Sequence, residues 1–150
     1  MNKVEFEVIK RREFQSGYAE STVNILVDGK PLADFMQVYE SPMATKEGHP
    51  GLAGAYHAIT TASSSLEQYY LGRINADRGL DQSKTALLVC ICGIEGCWSL
   101  LCKISVLGNT VTWTEFEQPH RDEEWDYSDF DGFVFDKQQY LDEIEAMKNA

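Results

Sequence analysis

Apolar and polar residues alternate in VEFEVIK, where Val4, Phe6 and Val8 are separated by Glu5 and Glu7. A period of two predicts a strand with one buried face. STVNILV repeats the pattern with Val23, Ile25 and Val27, and Asp28-Gly29 then supplies a tight turn. The period changes after Pro31, which suits the first position of a helix. Leu32, Phe35, Met36 and Tyr39 fall at i, i+3, i+4 and i+7, predicting a short amphipathic helix over residues 31–40.

The next stretch, from Ser41 to Ser65, reads as loop chemistry rich in Gly, Ser, Thr and Pro. Ser65 is placed to cap a helical turn through Leu66, Tyr69 and Tyr70, which Gly72 ends. Residues 73–83 read as a polar connection. From Thr85 to Glu117 the pattern predicts a three-stranded meander, turning at Gly93–Gly96 and at Gly108-Asn109. Phe133-Val134-Phe135 reads as a brief strand. Asp136 then caps a C-terminal helix striped by Tyr140, Ile144 and Met147, with Gln139 in the capping-box position.

Together these elements predict a single α+β domain over residues 1–150. An antiparallel sheet, made of the meander (about 85–117) and an N-terminal hairpin, packs against the C-terminal helix and short helices. No apolar run approaches a membrane span, and the N-terminus lacks an apolar signal core. The expected location is the cytoplasm, with no membrane partner, where clustered cysteines stay reduced or hold metal.

All four cysteines lie between Cys90 and Cys102. With Ile94-Glu95 as the turn centre, Cys92 faces Cys97, Cys90 faces Ser99 and Leu87 faces Cys102. Opposed residues share a face of a sheet. Cys102 then joins a uniformly apolar face and reads as a small core hydrophobe. Cys90, Cys92 and Cys97 converge on the other face. They could pack plainly, hold a metal as a three-thiolate knuckle, or pair oxidatively. No cofactor is expected beyond a possible zinc at those three residues.

The net charge of −11 changes the picture further, because it is concentrated. Between Glu115 and Glu145 stand twelve acidic residues against only Arg121 and Lys137. Such a surface repels phosphate backbones, excluding nucleic acid as a partner, and steers basic proteins toward itself. A solvated face that keeps the chain soluble is the plainer reading. QPHRDEEWDY places His120, Arg121, Asp122, Glu123, Glu124, Trp125, Asp126 and Tyr127 on one loop after a core strand. That mixture suits partner recognition, or a loop whose aromatics fold back while its charges face water.

Carrying the register across Gly108-Asn109 sets Glu115 on the apolar face. Either a bulge after Trp113 turns Phe116 inward, or Glu115 sits at the lip of a cleft with His120 as an acid–base pair. The bulge is the cheaper solution, since a lone buried carboxylate is costly. No hydrolase, zincin, EF-hand or phosphate-loop motif is present.

The segments VNILVDGKPL, CICGIEGCWSLLCKI, VTWTEFEQPHR and WDYSDFDGFVFDKQQY resemble a family of small uncharacterised bacterial proteins. CG-x-x-GCW and TVTW-x-x-F are the most specific blocks. The resemblance implies a cytoplasmic bacterial protein and brings no activity or catalytic residues. The leading expectation is therefore a small acidic, non-enzymatic module binding a basic protein. A three-cysteine metal protein is the alternative, and a small enzyme using Glu115 and His120 the third.

Overall fold

The computed structural model describes residues 1–73, 84–90, 99–119 and 125–150, with the side chain of Cys90 excepted. In chain order the elements are β1 (Val4–Glu13), β2 (Ala19–Val27), β3 (Lys30–Pro31), α1 (Leu32–Lys46), β4 (Tyr56–Ala62), α2 (Leu66–Tyr70), β5 (Thr85–Cys90), β6 (Leu100–Leu107), β7 (Thr110–Glu117), β8 (Phe133–Asp136) and α3 (Lys137–Lys148). The α+β class holds, but the sheet is larger than a meander beside a hairpin. Among the described residues it has eight antiparallel strands, in the order β1-β2-β4-β5-β6-β7-β8 with β3 beside β2.

The missing piece in the sequence reading was β4, which lies inside the segment read as loop. Its first half, Tyr56–Ala58, pairs with β5, while Ile59–Ala62 pair with β2. One strand thus joins the hairpin to the meander, and the sheet curls. At the far end Asn2 bridges to Phe135, bringing the start of the chain against β8. Asn2 N–H donates to the Val134 carbonyl at 2.8 Å, and its side-chain oxygen accepts from Val134 N–H at 3.1 Å.

Inside the curl lies a pile of rings: Phe6, Tyr70, Trp113, Phe133, Phe135 and Tyr140. Each ring meets its neighbours tilted or edge-on, with Trp113 and Phe135 centroids 4.8 Å apart. Edge-to-face contacts of this kind add to the apolar area buried. α3 closes one side with Tyr140, Ile144 and Met147, the predicted stripe. The Asp136 side chain accepts from Gln139 N–H, so the N-cap forms. Gln139 does not complete a capping box. Its amide instead pairs both ways with the backbone of Val4, stitching α3 to β1.

Two boundaries move. α1 runs from Leu32 to Lys46, six residues beyond the predicted end, and Pro42 lies inside it. Proline removes one helical hydrogen bond, to the carbonyl of Val38. Val38 lies on the solvent face, 70% exposed, where water can serve that carbonyl. The β5–β6 register also departs from the expectation. Thr85, not Leu87, lies opposite Cys102, and after a shift Leu88 lies opposite Leu100. The face assignment for the cysteine hairpin required Leu88 opposite Leu101. Both faces of this pair are covered, since Ala86, Leu88, Ser99 and Leu101 are buried as fully as Leu87 and Leu100. Cys102 is buried and free, and burial pushes its thiol pKa up. No helix among the described residues is long and apolar enough to cross a membrane.

Candidate functional site

The Gly108-Asn109 hairpin keeps its predicted register, with Val106 opposite Val111 and Ile104 opposite Trp113. The register then shifts by one, between Lys103↔Thr114 and Leu101↔Glu117. The bulge falls at Glu115, whose φ of +51° is unusual for a residue with a Cβ. It turns Phe116 inward and Glu115 out to solvent, where Lys103 lies 3.7 Å away. Glu117, next along, holds the Lys84 ammonium at 3.0 Å.

Facing this strand end is the loop that begins at Trp125. Trp125 and Tyr127 are buried, at 1% and 7% exposure, while Asp126, Ser128, Asp129 and Asp131 face outward. The two rings therefore shape the surface from below rather than project from it. Asp126 accepts from Ser128 N–H at 2.8 Å, an Asx turn that lowers its pKa. Between loop and strand lies a depression of about 300 Å³, lined by Lys84, Glu115, Glu117, Asp126 and the bodies of Phe116, Trp125 and Tyr127. Among the described lining residues three are carboxylates, Glu115, Glu117 and Asp126, and one is an ammonium, Lys84.

Among the described residues the loop is anchored at Tyr39 and Glu40 of α1 and at Glu47, which caps the helix C-terminus. Tyr39 donates to the Asp126 carbonyl at 2.8 Å and stacks on Tyr127. Trp125 Nε1 donates to Glu47 Oε1 at 3.0 Å. The third anchor is Glu40, fully buried, whose Oε2 accepts from Tyr127 OH at 2.5 Å and from Tyr56 OH at 2.6 Å. Gly54 N–H donates to Glu40 Oε1 at 2.9 Å, and Gln118 Nε2 donates to Tyr56 OH at 2.8 Å. All of these partners are neutral donors. Burial raises the Glu40 pKa, with the three hydrogen bonds pulling it partly back, and burial likewise raises Tyr56 and Tyr127. Gly54 (φ +67°) is required at its position, since a Cβ there would lie 2.6 Å from the Gln37 Cβ.

This cluster went unread in the sequence. The signal was present, because Glu40 stands four residues after Met36 and eight after Leu32, on the buried stripe of α1. A carboxylate at such a position demands donors, and here they arrive from Gly54, from Tyr56 on β4 and from Tyr127 of the loop. In this structure none of Glu40, Tyr56, Gln118 and Tyr127 is more than 7% exposed. The carboxylate ties the loop to α1 and β4.

Of the residues singled out from the sequence, Glu115, Trp125, Asp126 and Tyr127 come together around the depression. His120, Arg121, Asp122, Glu123 and Glu124 lie outside the described residues, as do Cys92, Cys97 and the Cys90 side chain. Among the described residues no group of three or more His, Cys, Asp or Glu is placed to hold a metal ion. No protein-family model, curated protein or solved structure matches this chain.

Proposed function

We propose that this protein is a small acidic, non-enzymatic module that receives a basic partner protein at the depression between the β7 bulge and the 125–131 loop. One observation carries the reading: outward carboxylates at Glu115 and Asp126 flank an aromatic-floored hollow whose loop is already fixed to α1. Arginine and lysine side chains suit such a hollow, since their stems lie on apolar surface while the cation meets carboxylate. A loop held in place before binding loses little conformational entropy on association. A merely solvated acidic face would need no such anchoring.

Titration of a short lysine- and arginine-rich peptide tests the proposal. The Glu115→Gln/Asp126→Asn variant should bind about tenfold more weakly, the equivalent of about 1.4 kcal/mol. A Glu5→Gln/Glu7→Gln variant, with the same charge change on exposed β1 positions, should bind within about twofold of the parent chain. Equal weakening by both pairs, or no binding to the parent, overturns the reading.

A further inference from the structure

A second, larger cavity of about 410 Å³ shares no residue with the acidic depression. It forms where the β1–β2 register shifts after Val8 and the outer part of the hairpin leaves the core. Arg11, Tyr18 and Ser21 of that hairpin make one wall, Ser63 and Ser64 after β4 the second, and Lys148 at the end of α3 the third. Buried Leu66 and Met147 form the floor.

The lining charge has the opposite sign to the rest of the molecule. Among the described lining residues Arg11 and Lys148 stand with one carboxylate, Glu67, while Glu13 and Glu145 meet these cations from outside the wall, in a chain with a net charge of −11. Lys10 and Arg12, on the same strand, line a smaller pocket together with Glu20. The partners these cations already have face solvent, and the Arg11 guanidinium also donates to the Ala150 oxygen at 3.3 Å. Lys148 lies 3.8 Å from Glu67 and 3.5 Å from Glu145, and Arg11 meets Glu13 at 3.1 Å with both side chains open to water. Exposed pairs of this kind contribute little and exchange readily for a better-placed anion. Hydroxyls complete the wall: Ser21 and Ser63 hydrogen-bond at 2.7 Å, one donating, which leaves the hydrogen of the accepting hydroxyl free for a ligand.

From these features we infer that the cavity is a binding site for a small molecule carrying an oxyanion, a carboxylate or a phosphate. The oxyanion sits between the Arg11 guanidinium and the Lys148 ammonium, with serine hydroxyls donating to its remaining oxygens. The apolar floor takes the body of the ligand. The volume falls in the range of small-molecule sites, about 300–1,000 Å³.

Calorimetric titration of the full chain at low ionic strength tests this, using benzoate and phenyl phosphate as probes and benzyl alcohol as the neutral comparison. Saturable binding of either anion below about 10 mM, absent for the alcohol, is expected. The anion that binds identifies the source, carboxylate or phosphate. Arg11→Gln/Lys148→Gln should weaken it about tenfold or more, whereas Lys30→Gln/Lys46→Gln, exposed on other elements, should leave it unchanged. Ser64→Trp, at an exposed position on the cavity wall, should block it while circular dichroism stays native. Absence of saturable binding by both anions overturns the site. So does equal weakening by the two lysine- and arginine-neutralised pairs, or undiminished binding in Ser64→Trp.

Discussion

Among the buried tyrosine hydroxyls of the described residues, that of Tyr140 and the pair at Glu40 are satisfied in different ways. Around Trp113 the solution is neutral. The indole N–H donates to Tyr140 OH at 3.1 Å, and that hydroxyl donates to the Tyr70 carbonyl, all within tilted and edge-on rings. Around Glu40 two tyrosine hydroxyls converge on a carboxylate that has no cation among its hydrogen-bond partners. The first arrangement holds the core and contains nothing that titrates near neutrality. The second holds a surface loop and carries a group whose protonation is set by its burial. Neutral satisfaction fixes a fold, whereas ionisable satisfaction makes the fixing of one loop depend on solution conditions.

The contrast is tested most severely by truncation. Trp113→Ala should destabilise the protein by about 3–5 kcal/mol, read by urea unfolding, and lower the midpoint for every probe at once. Glu40→Ala should cost about 2–3 kcal/mol, because buried donors lose their acceptor. Its distinguishing mark is local, namely faster proteolytic cutting near residues 125–131 under conditions where the core stays folded. Cutting equal to that of the parent chain would reduce the Glu40 cluster to ordinary core.

A pH series separates the two places further. Raised by burial above its ordinary 4.5, the Glu40 carboxyl binds its proton more tightly folded than unfolded. Stability contributed by this group is therefore greatest below the ordinary carboxylate range and falls as pH rises through the folded value. Subtracting a Glu40→Gln series from the parent should leave that falling step; a flat difference between pH 4 and 8 would remove it. Asp28 has the opposite sign. Hydrogen bonds from Asn2 and Lys3 lower its pKa, so its contribution is lost as pH falls below about 3.8.

Smaller effects sharpen the picture. Tyr127→Phe removes one hydroxyl from Glu40 and should cost about 1 kcal/mol by thermal unfolding. Glu115→Gly relieves a left-handed residue at the bulge and should stabilise by about 0.5 kcal/mol, while weakening the basic peptide of the proposed function.

Local patterns in the sequence carried the Gly108-Asn109 hairpin, the bulge near Glu115 and the C-terminal helix, because each depends on neighbours a few residues away. β4 was hidden because Thr60 and Thr61 interrupt its apolar run and its two halves serve different strands. The helical extension past Pro42 depended on which carbonyl the proline left to water. The Glu40 cluster was least legible, since its donors come from Gly54, Tyr56 and Tyr127, as far as 87 residues along the chain. A buried acid on a helix stripe announces that donors are needed, but only the fold says which they are.

The bridge between Asn2 and Phe135 also has a consequence for the order of assembly. β1 rests on α3 through Val4 and Gln139, and Phe6 lies against Tyr140. During synthesis the first strand emerges long before the residues that cover it. Val4 and Phe6 of the N-terminal hairpin stay uncovered until α3 has emerged from the ribosome. Contacts so distant along the chain slow folding, and the newborn chain depends on its charged neighbours, Glu5 and Glu7 among them, to stay out of aggregates meanwhile.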